Sequence, residues 1–302
     1  MIALVSTLTS PMVRKLGLVA SLLILLGSFG GGSLQKRNSL LSAANLDFLS
    51  FGHGAAFSNV TLWLGTVLFV VAWVLMGKLV IDKVVGADYV RRTLCMWLVP
   101  LVGAAPIMSR DVYSYLMQGT LLRDGLNAYT QGPASNPNQI LFEVSHDWRN
   151  TTTPYGPLHL WLGEAVTTVF GDNVTAGVYA FKALSVAGFV AIMWFVPKIA
   201  QRLGADPAFA LWLGVANPVM VFHLVGGMHN EAIMVGLVTV GLYLVVRQAA
   251  YPAVLGGFFA GVALIAVAMS LKASAALCLP FVVWLVVNRA GESVGARVRA
   301  FL

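Results

Sequence analysis

Residues 109–157 read SRDVYSYLMQGTLLRDGLNAYTQGPASNPNQILFEVSHDWRNTTTPYGP. This is the longest polar stretch of the chain, and the sequence on both sides of it is almost continuously apolar. Connections of this length inside a compact protein are usually either functional or disordered. Disordered segments are poor in aromatic residues, whereas this one contains several tyrosines, a phenylalanine and a tryptophan. We therefore predict an ordered, functional loop.

The composition is typical of a membrane protein. Hydrophobic residues make up 58% of the chain, charged residues only 10%, and the mean hydropathy is +0.82. A soluble domain carries about a quarter charged residues, so the sequence predicts an all-α, polytopic membrane protein. The net charge of +7 does not indicate nucleic-acid binding, because lysine and arginine collect in the inner loops of membrane proteins.

The apolar runs predict eight membrane crossings, and one further apolar segment is left out of that count. Segment 158–170 is short for a span and is expected to lie at the membrane interface. The predicted crossings are residues 16–29, 59–81, 93–108, 174–196, 208–225, 232–246, 253–268 and 273–287.

The distribution of positive charge predicts the orientation. With the N-terminus inside, the inner loops hold about twice as many lysines and arginines as the outer ones. A crossing at 158–170 would move Lys198 and Arg202 outside, against that rule. We expect a multi-pass protein of the cytoplasmic membrane in which 109–157, 226–231 and Lys272 share the extracytoplasmic face.

Asp111 is the first candidate catalytic residue. Apolar residues recur at helical spacing through 110–124, which predicts an amphipathic helix lying on the membrane. Ser109 is the expected N-cap, so Asp111 falls in the first turn, where the helix dipole favours a charged carboxylate. Such a group can accept a proton from a sugar hydroxyl. The alternative is an ordinary first-turn acid without a catalytic role.

The second group is the turn containing His229, Asn230 and Glu231, together with Lys272. Ionisable groups at or within a bilayer are costly and usually functional. Lys272 precedes a predicted helix, a position suited to binding a phosphate. The alternatives are a polar helix cap for the turn and a snorkelling side chain for Lys272.

Aromatic side chains of the long loop, such as Tyr155 and Trp148, are candidates for stacking on sugar rings. The alternative for the segment 153–157, TPYGP, is a simple rigid turn. The sequence contains no nucleotide-binding glycine loop and no paired-cysteine metal site. No soluble cofactor is predicted, and a divalent metal bridging Asp111 and Glu231 has no support in the sequence.

Several motifs, taken in order, resemble a known family. They are SRDVYSY at 109–115, QG at 118–119, NAY at 127–129, WRN at 148–150, TPYGP at 153–157 and GGMHNE at 226–231. The set is similar to the GT-C glycosyltransferases, and most closely to the polyprenol-phosphate-mannose-dependent α-(1→6)-mannosyltransferases that extend lipomannan. The resemblance covers residues 93 to 288 approximately.

The resemblance implies a GT-C fold with a catalytic carboxylate in the first large outer loop, which Asp111 matches. The family's His-Asn-acid turn matches residues 229–231, with Glu231 where aspartate is usual, and its late lysine matches Lys272. Family members have more spans than eight, so residues 1–302 are expected to form one transmembrane module that is the N-terminal part of a longer protein.

The resulting prediction is an inverting membrane mannosyltransferase. It would move mannose from a polyprenyl-phosphate donor to a glycolipid acceptor on the outer face, with no nucleic-acid partner. The alternatives are a transporter or lipid flippase that uses Lys182 and Glu231 as pathway charges, and an inactive truncated scaffold. The predicted catalytic residues are Asp111 and Glu231, and the predicted substrate-binding residues are Arg110, Tyr113, Tyr115, Arg149, Tyr155, His229, Asn230 and Lys272.

Overall fold

The computed structural model describes residues 9–37, 39–248 and 256–289, and all regular elements in these ranges are helical. The prediction of an all-α protein is therefore confirmed for this part of the chain. The longer helices are α1 (Ser10–Gly31), α2 (Gly52–Ile81), α3 (Ala87–Gly103), α4 (Asp111–Arg123), α5 (Pro157–Phe170), α6 (Val174–Arg202), α7 (Pro207–Gly214), α8 (Glu231–Gln248), α9 (Gly256–Met269) and α10 (Leu279–Arg289). The shorter elements are α-helical turns at Leu40–Ala43 and Pro218–Met220, 3₁₀ turns at Asp47–Ser50, Pro133–Ser135, Ile140–Glu143, His146–Trp148 and Ala273–Cys278, and a π-helix at Val221–Gly226.

Three helices, α1, α2 and α6, are long and apolar enough to cross a membrane. A fourth candidate is the pair Pro207–Gly214 and Pro218–Gly226, which is bent by 55°. Large apolar side chains are exposed along α2, as expected for a surface that faces lipid. These findings support a membrane protein, and the count of eight crossings stays a prediction. Residues 253–255 of the seventh predicted crossing lie outside the described residues.

Small residues allow the membrane helices to pack closely. A Cβ atom on Gly65 of α2 would lie 2.9 Å from the Ala20 carbonyl of α1. A Cβ on Gly236 of α8 would lie 2.8 Å from the Gly188 carbonyl of α6. Lipid tails are as apolar as leucine side chains, so packing of this kind is a main source of helix association in a bilayer.

Helix α4 differs from the amphipathic surface helix that the sequence predicts. The helix is present, but every residue from Val112 to Leu121 is buried. The reason is that α5, α6 and the Ile140–Glu143 turn cover it. Gly119 permits the closest contact, because a Cβ there would lie 2.3 Å from the Gly163 backbone of α5. The expectation that α4 lies with one face free on the membrane surface is therefore wrong.

Two predicted spans are interrupted, and the interruptions position the site. The run 93–108 is helical only to Gly103, and 208–225 bends before Pro218, since proline disfavours helix in the residue before it. Two irregular connectors follow, at residues 104–110 and 227–230. They meet where the Ile107 N–H donates to the Gly226 carbonyl at 3.1 Å. Each connector contains a methionine with a left-handed backbone, Met108 (φ 62°) and Met228 (φ 56°), an arrangement common near functional sites.

Candidate active site

Asp111 lies at the start of α4 and pairs with a histidine from the second connector. Arg110 occupies the cap position, and the predicted cap Ser109 instead accepts a hydrogen bond from the Asp111 N–H at 3.1 Å. The Asp111 Oδ2 atom is 3.3 Å from His229 Nδ1. Burial, together with the neighbouring His223, holds the pKa of His229 below its ordinary value. His229 is therefore neutral at pH 7, and its Nδ1–H is placed to donate to Asp111.

Glu231 and Lys272 extend this pair. The Lys272 Nζ atom is 2.5 Å from Glu231 Oε1, and Glu231 Oε2 is 4.0 Å from His229 Nδ1. Burial opposes the charge of Glu231, but the hydrogen bond and the charge of Lys272 outweigh it and hold the pKa of Glu231 below its usual value. Asp111, His229, Glu231 and Lys272 thus form a continuous line of groups, which we name the polar row.

The position of Lys272 differs from the expected one. It precedes a 3₁₀ turn, Ala273–Cys278, rather than an α-helix, so no α-helical N-terminus adds to its charge. Its ammonium group is engaged by Glu231. Any anion that Lys272 holds must therefore share it with that carboxylate.

Three further side chains form an aromatic wall beside the polar row. The rings of Tyr115 and Tyr155 lie 4.6 and 4.5 Å from the His159 ring, and Lys272 Nζ is 5.5 Å from the Tyr155 centroid. Burial lowers the pKa of His159 to about 3. His159 is therefore neutral, and its Nδ1 lies 3.4 Å from the Asn230 amide nitrogen.

The TPYGP segment is a turn that docks against the segment before Lys272. The Gly156 N–H donates to the Leu271 carbonyl at 2.9 Å, and the Leu158 N–H donates to the Ser270 carbonyl at 3.0 Å. Position 156 has no room for a side chain, because a Cβ there would lie 2.3 Å from the Ser270 carbonyl oxygen. This contact brings Tyr155 to Lys272.

Three of the predicted substrate-binding residues instead form hydrogen bonds within the long loop or between the loop and the rest of the protein. Arg110 binds the Glu143 carboxylate at 2.8 Å and also the Glu143 carbonyl. The buried Tyr113 donates its hydroxyl to the Ser33 carbonyl at 2.6 Å. Arg149 donates to carbonyls of residues 142 and 144. The structure does not place these side chains in the polar row, and their roles in substrate binding stay predictions.

Two histidines of the site were not among the predicted residues. His223 stacks on His229, with ring centroids 3.6 Å apart and an interplanar angle of 14°. The sequence signal for it was available, because His223 is the single ionisable residue of the predicted span 208–225. His159 is a lone histidine in the mostly apolar helix α5, a pattern that does not by itself separate a site from a core position.

The donor atoms of His223, His229 and Glu231 lie within 4.8 Å of one another, so the group was tested as a metal site. The two imidazole rings are nearly parallel, so their in-plane lone pairs run side by side and do not converge on one point. In addition, Glu231 Oε1 is held by Lys272. As placed, these residues do not fit a metal ion. A metal bridging Asp111 and Glu231 is also disfavoured, because His229 lies between the two carboxylates.

A groove and a cavity lie near the polar row. An apolar groove of about 300 Å³ lies between α2 and the π-helix, and His223 and His229 are among its lining residues; the others are Thr66, Val70, Ile107, Met108, Pro218, Val219 and Phe222. A larger cavity of about 800 Å³ has a mixed polar and apolar wall that includes Arg37, Gln139, Phe142, Glu143, Asp172 and Asn173. The two regions are linked through Arg110, which precedes Asp111 and binds Glu143.

Comparison with known proteins gives consistent matches. A family model described as alpha-(1→6)-mannopyranosyltransferase, N-terminal domain, matches residues 14–288. The chain is 57% identical over 271 residues to alpha-(1→6)-mannopyranosyltransferase A of Corynebacterium glutamicum, covering 87% of this chain and 54% of that protein. It is 40% identical over 289 residues to the protein of the same name from Mycobacterium tuberculosis, covering 95% and 54%. The chain thus spans about half the length of these curated relatives. No solved structure matches it.

Proposed function

The chain belongs to the alpha-(1→6)-mannopyranosyltransferase family, and on that premise we propose that its protein transfers mannose from a polyprenyl phosphate to a hydroxyl of a mannan glycolipid. The observation that carries this proposal is the polar row. A carboxylate paired with a neutral histidine, Asp111 with His229, stands beside the Glu231–Lys272 ion pair, and His229 also lines an apolar groove. Together these groups supply a base, a cation and a place for a lipid tail.

In the proposed reaction the acceptor oxygen attacks the anomeric carbon from the face opposite the phosphate. A new C–O bond forms to the acceptor as the bond from the anomeric carbon to the phosphate oxygen breaks, which inverts that carbon. The bonding electrons leave with the polyprenyl phosphate, and Asp111 takes the acceptor proton. His229 holds Oδ2 of Asp111 and leaves Oδ1 for that proton.

The donor is assigned to the apolar groove. Its lining comes partly from α2, a candidate membrane span, so a lipid can enter it sideways from the bilayer. His223 and His229 are among the lining residues of the groove, and we therefore assign the phosphate of a bound lipid to the part of the groove next to the polar row. Lys272 would then contact the leaving phosphate, and cations that bind developing negative charge are a main source of catalysis.

The growing mannan chain is assigned to the larger cavity. Amide, carboxylate and guanidinium groups line it, and such groups form the hydrogen bonds that sugar hydroxyls need. Phe142 in its wall is 49% exposed, which offers an apolar surface to the C–H face of a sugar. The contact of Arg110 with Glu143, a lining residue of this cavity, supports the assignment, because Arg110 precedes the proposed base Asp111.

The test uses the intact protein in lipid vesicles, with radiolabelled polyprenyl phosphate mannose and synthetic α-mannosides as acceptors. We expect labelled mannose to appear in the acceptor through an α-(1→6) linkage. Movement of lipid or solute across the vesicle membrane without transfer would instead establish a transporter or flippase. If the folded protein binds no donor and shows neither transfer nor movement, it is a scaffold.

A further inference from the structure

Lys182 is buried in the first third of α6, with only 1% of the residue exposed, and it is not part of the polar row. Its Nζ atom donates to the Val225 carbonyl at 2.9 Å and lies 3.4 Å from the Leu101 carbonyl. Within the described ranges, no carboxylate lies within 4.0 Å of this ammonium group. A buried lysine without a carboxylate partner is costly in a membrane, so its two carbonyl partners require an explanation.

Both partners are carbonyls at the ends of helices. Leu101 lies in the last turn of α3, and Val225 lies in the last turn of the π-helix Val221–Gly226. Carbonyls at a helix C-terminus lack partners within the helix, and together they carry about half an elementary negative charge. Two such ends therefore lower the cost of burying the ammonium group.

The two helix ends lead directly into the two connectors of the site. Residues 104–110 run from α3 to Asp111, and residues 227–230 run from the π-helix to Glu231. Tyr179, one turn before Lys182 on α6, strengthens the same junction by donating its hydroxyl to the Gly103 carbonyl at 3.1 Å. Helix α6 therefore holds the end of α3 at two points and the end of the π-helix at one.

From this geometry we infer that Lys182 is a positioning residue, which sets the distance between the two connectors and so brings Asp111 and His229 into contact. The effect on catalysis rests on the proposed transferase function, whereas the effect on the connectors does not. Lys182 acts through the polar row and does not touch substrate. Its removal should lower kcat and leave KM for donor and acceptor nearly unchanged.

The kinetic test compares Lys182→Met, which keeps the length of the side chain but donates no hydrogen bond, with Tyr179→Phe, a milder change at the same junction. We expect kcat to fall about tenfold or more in Lys182→Met and by a smaller factor in Tyr179→Phe, with each KM within about threefold of wild type. Lys182→Arg, which retains the charge and the donors, should recover part of kcat. A raised donor KM at unchanged kcat would overturn the inference.

A double-mutant cycle separates positioning from general destabilisation. In the His229→Gln background the pair that Lys182 positions is already lost, so adding Lys182→Met should lower kcat little further. Fully additive losses would show that Lys182 acts elsewhere, because independent sites contribute additively.

A cross-linking test remains valid even if the protein transfers no mannose. A Cβ on Gly226 would lie 2.5 Å from Ile107 Cγ1, so the Cβ atoms of a cysteine pair at these positions are at most about 4 Å apart, within disulfide reach. With Cys95 and Cys278 replaced by serine, Ile107→Cys with Gly226→Cys should cross-link under mild oxidation. Adding Lys182→Met should reduce the yield at least about twofold. An unchanged yield would overturn the inference whatever the catalytic result.

Discussion

The Asp111 carboxylate and the His229 imidazole lie 3.3 Å apart although they belong to different halves of the chain. Asp111 follows the connector 104–110, which begins where α3 ends before its predicted limit, and His229 lies within the connector 227–230. The first connector is joined to the end of the π-helix by the hydrogen bond from the Ile107 N–H to the Gly226 carbonyl. The pair therefore depends on two interrupted helices and on their contact, and neither segment forms it alone.

Replacing Asp111 by asparagine tests the assignment of the base. The change keeps the size of the side chain and removes its basicity, so transfer should fall by at least about 100-fold, within the range for loss of general base catalysis. Donor binding and expression should be kept. The measurement is the single-turnover rate of mannose transfer by the intact protein.

Asp147→Asn is the matched control for this change, since Asp147 is an exposed acid of the same loop, and it should leave the rate unchanged. Glu231→Gln is the comparison within the site. If Glu231→Gln abolishes transfer and Asp111→Asn does not, the base is Glu231.

Replacing Lys272 by alanine tests phosphate binding. A hydrogen bond to a charged group contributes about 1.5–3 kcal/mol, so the donor KM should rise about 10- to 100-fold while the acceptor KM changes little. Lys36→Ala, which removes an exposed lysine of the predicted outer face, is the control. Initial rates at varied donor concentration measure the effect, and an unaltered donor KM would leave Lys272 with a structural role only.

Labelling of introduced cysteines tests the predicted topology. In a variant with Cys95 and Cys278 replaced by serine, Ser135→Cys and Ser274→Cys should react with an impermeant maleimide on intact cells, because both positions are exposed. Ser135 lies in the predicted outer loop, and Ser274 lies at the outer end of the predicted crossing 273–287. Val84→Cys, also exposed but predicted inside, should react only after permeabilisation. Labelling at one of the first two positions but not at the other would place a further crossing between them.

The buried His159 predicts sensitivity to acid. Its pKa in the folded protein is about 3, whereas an unfolded histidine has a pKa of about 6.5. Between these values the unfolded chain binds a proton that the folded protein excludes. The stabilisation from this group is therefore fully present above about pH 6.5 and is lost as the pH falls toward 3. The free energy of unfolding decreases by up to about 1.4 kcal/mol per pH unit in this range because of His159.

Thermal unfolding in detergent from pH 7.5 to 5 measures this effect. His159→Gln should flatten the dependence of Tm on pH relative to wild type, because glutamine does not titrate. His146→Gln, at an exposed position, should leave that dependence as it is. Equal slopes in the wild type and in His159→Gln would contradict the assignment of the acid sensitivity to His159.

The sequence by itself was sufficient to predict the helical class and the candidate residues of the site. Hydropathy predicted the helical class, because every segment that crosses a bilayer must satisfy its own backbone hydrogen bonds. The helix of the long loop, the short helix α5 and the candidate residues Asp111, Glu231 and Lys272 were recognised from spacing and from residue type. The count of crossings, the orientation and the catalytic roles stay predictions.

Only the tertiary structure decided which of these residues meet. Apolar periodicity alone predicted that one face of α4 is exposed. The periodicity does not show that Gly119 allows α5 to approach the backbone of α4. Hydropathy also read 208–225 as one span, although the segment is bent and brings His223 against His229. The partner of Lys182 could not be named from the sequence, because its two acceptors are backbone carbonyls, which every residue possesses and which become distinctive only where helices end.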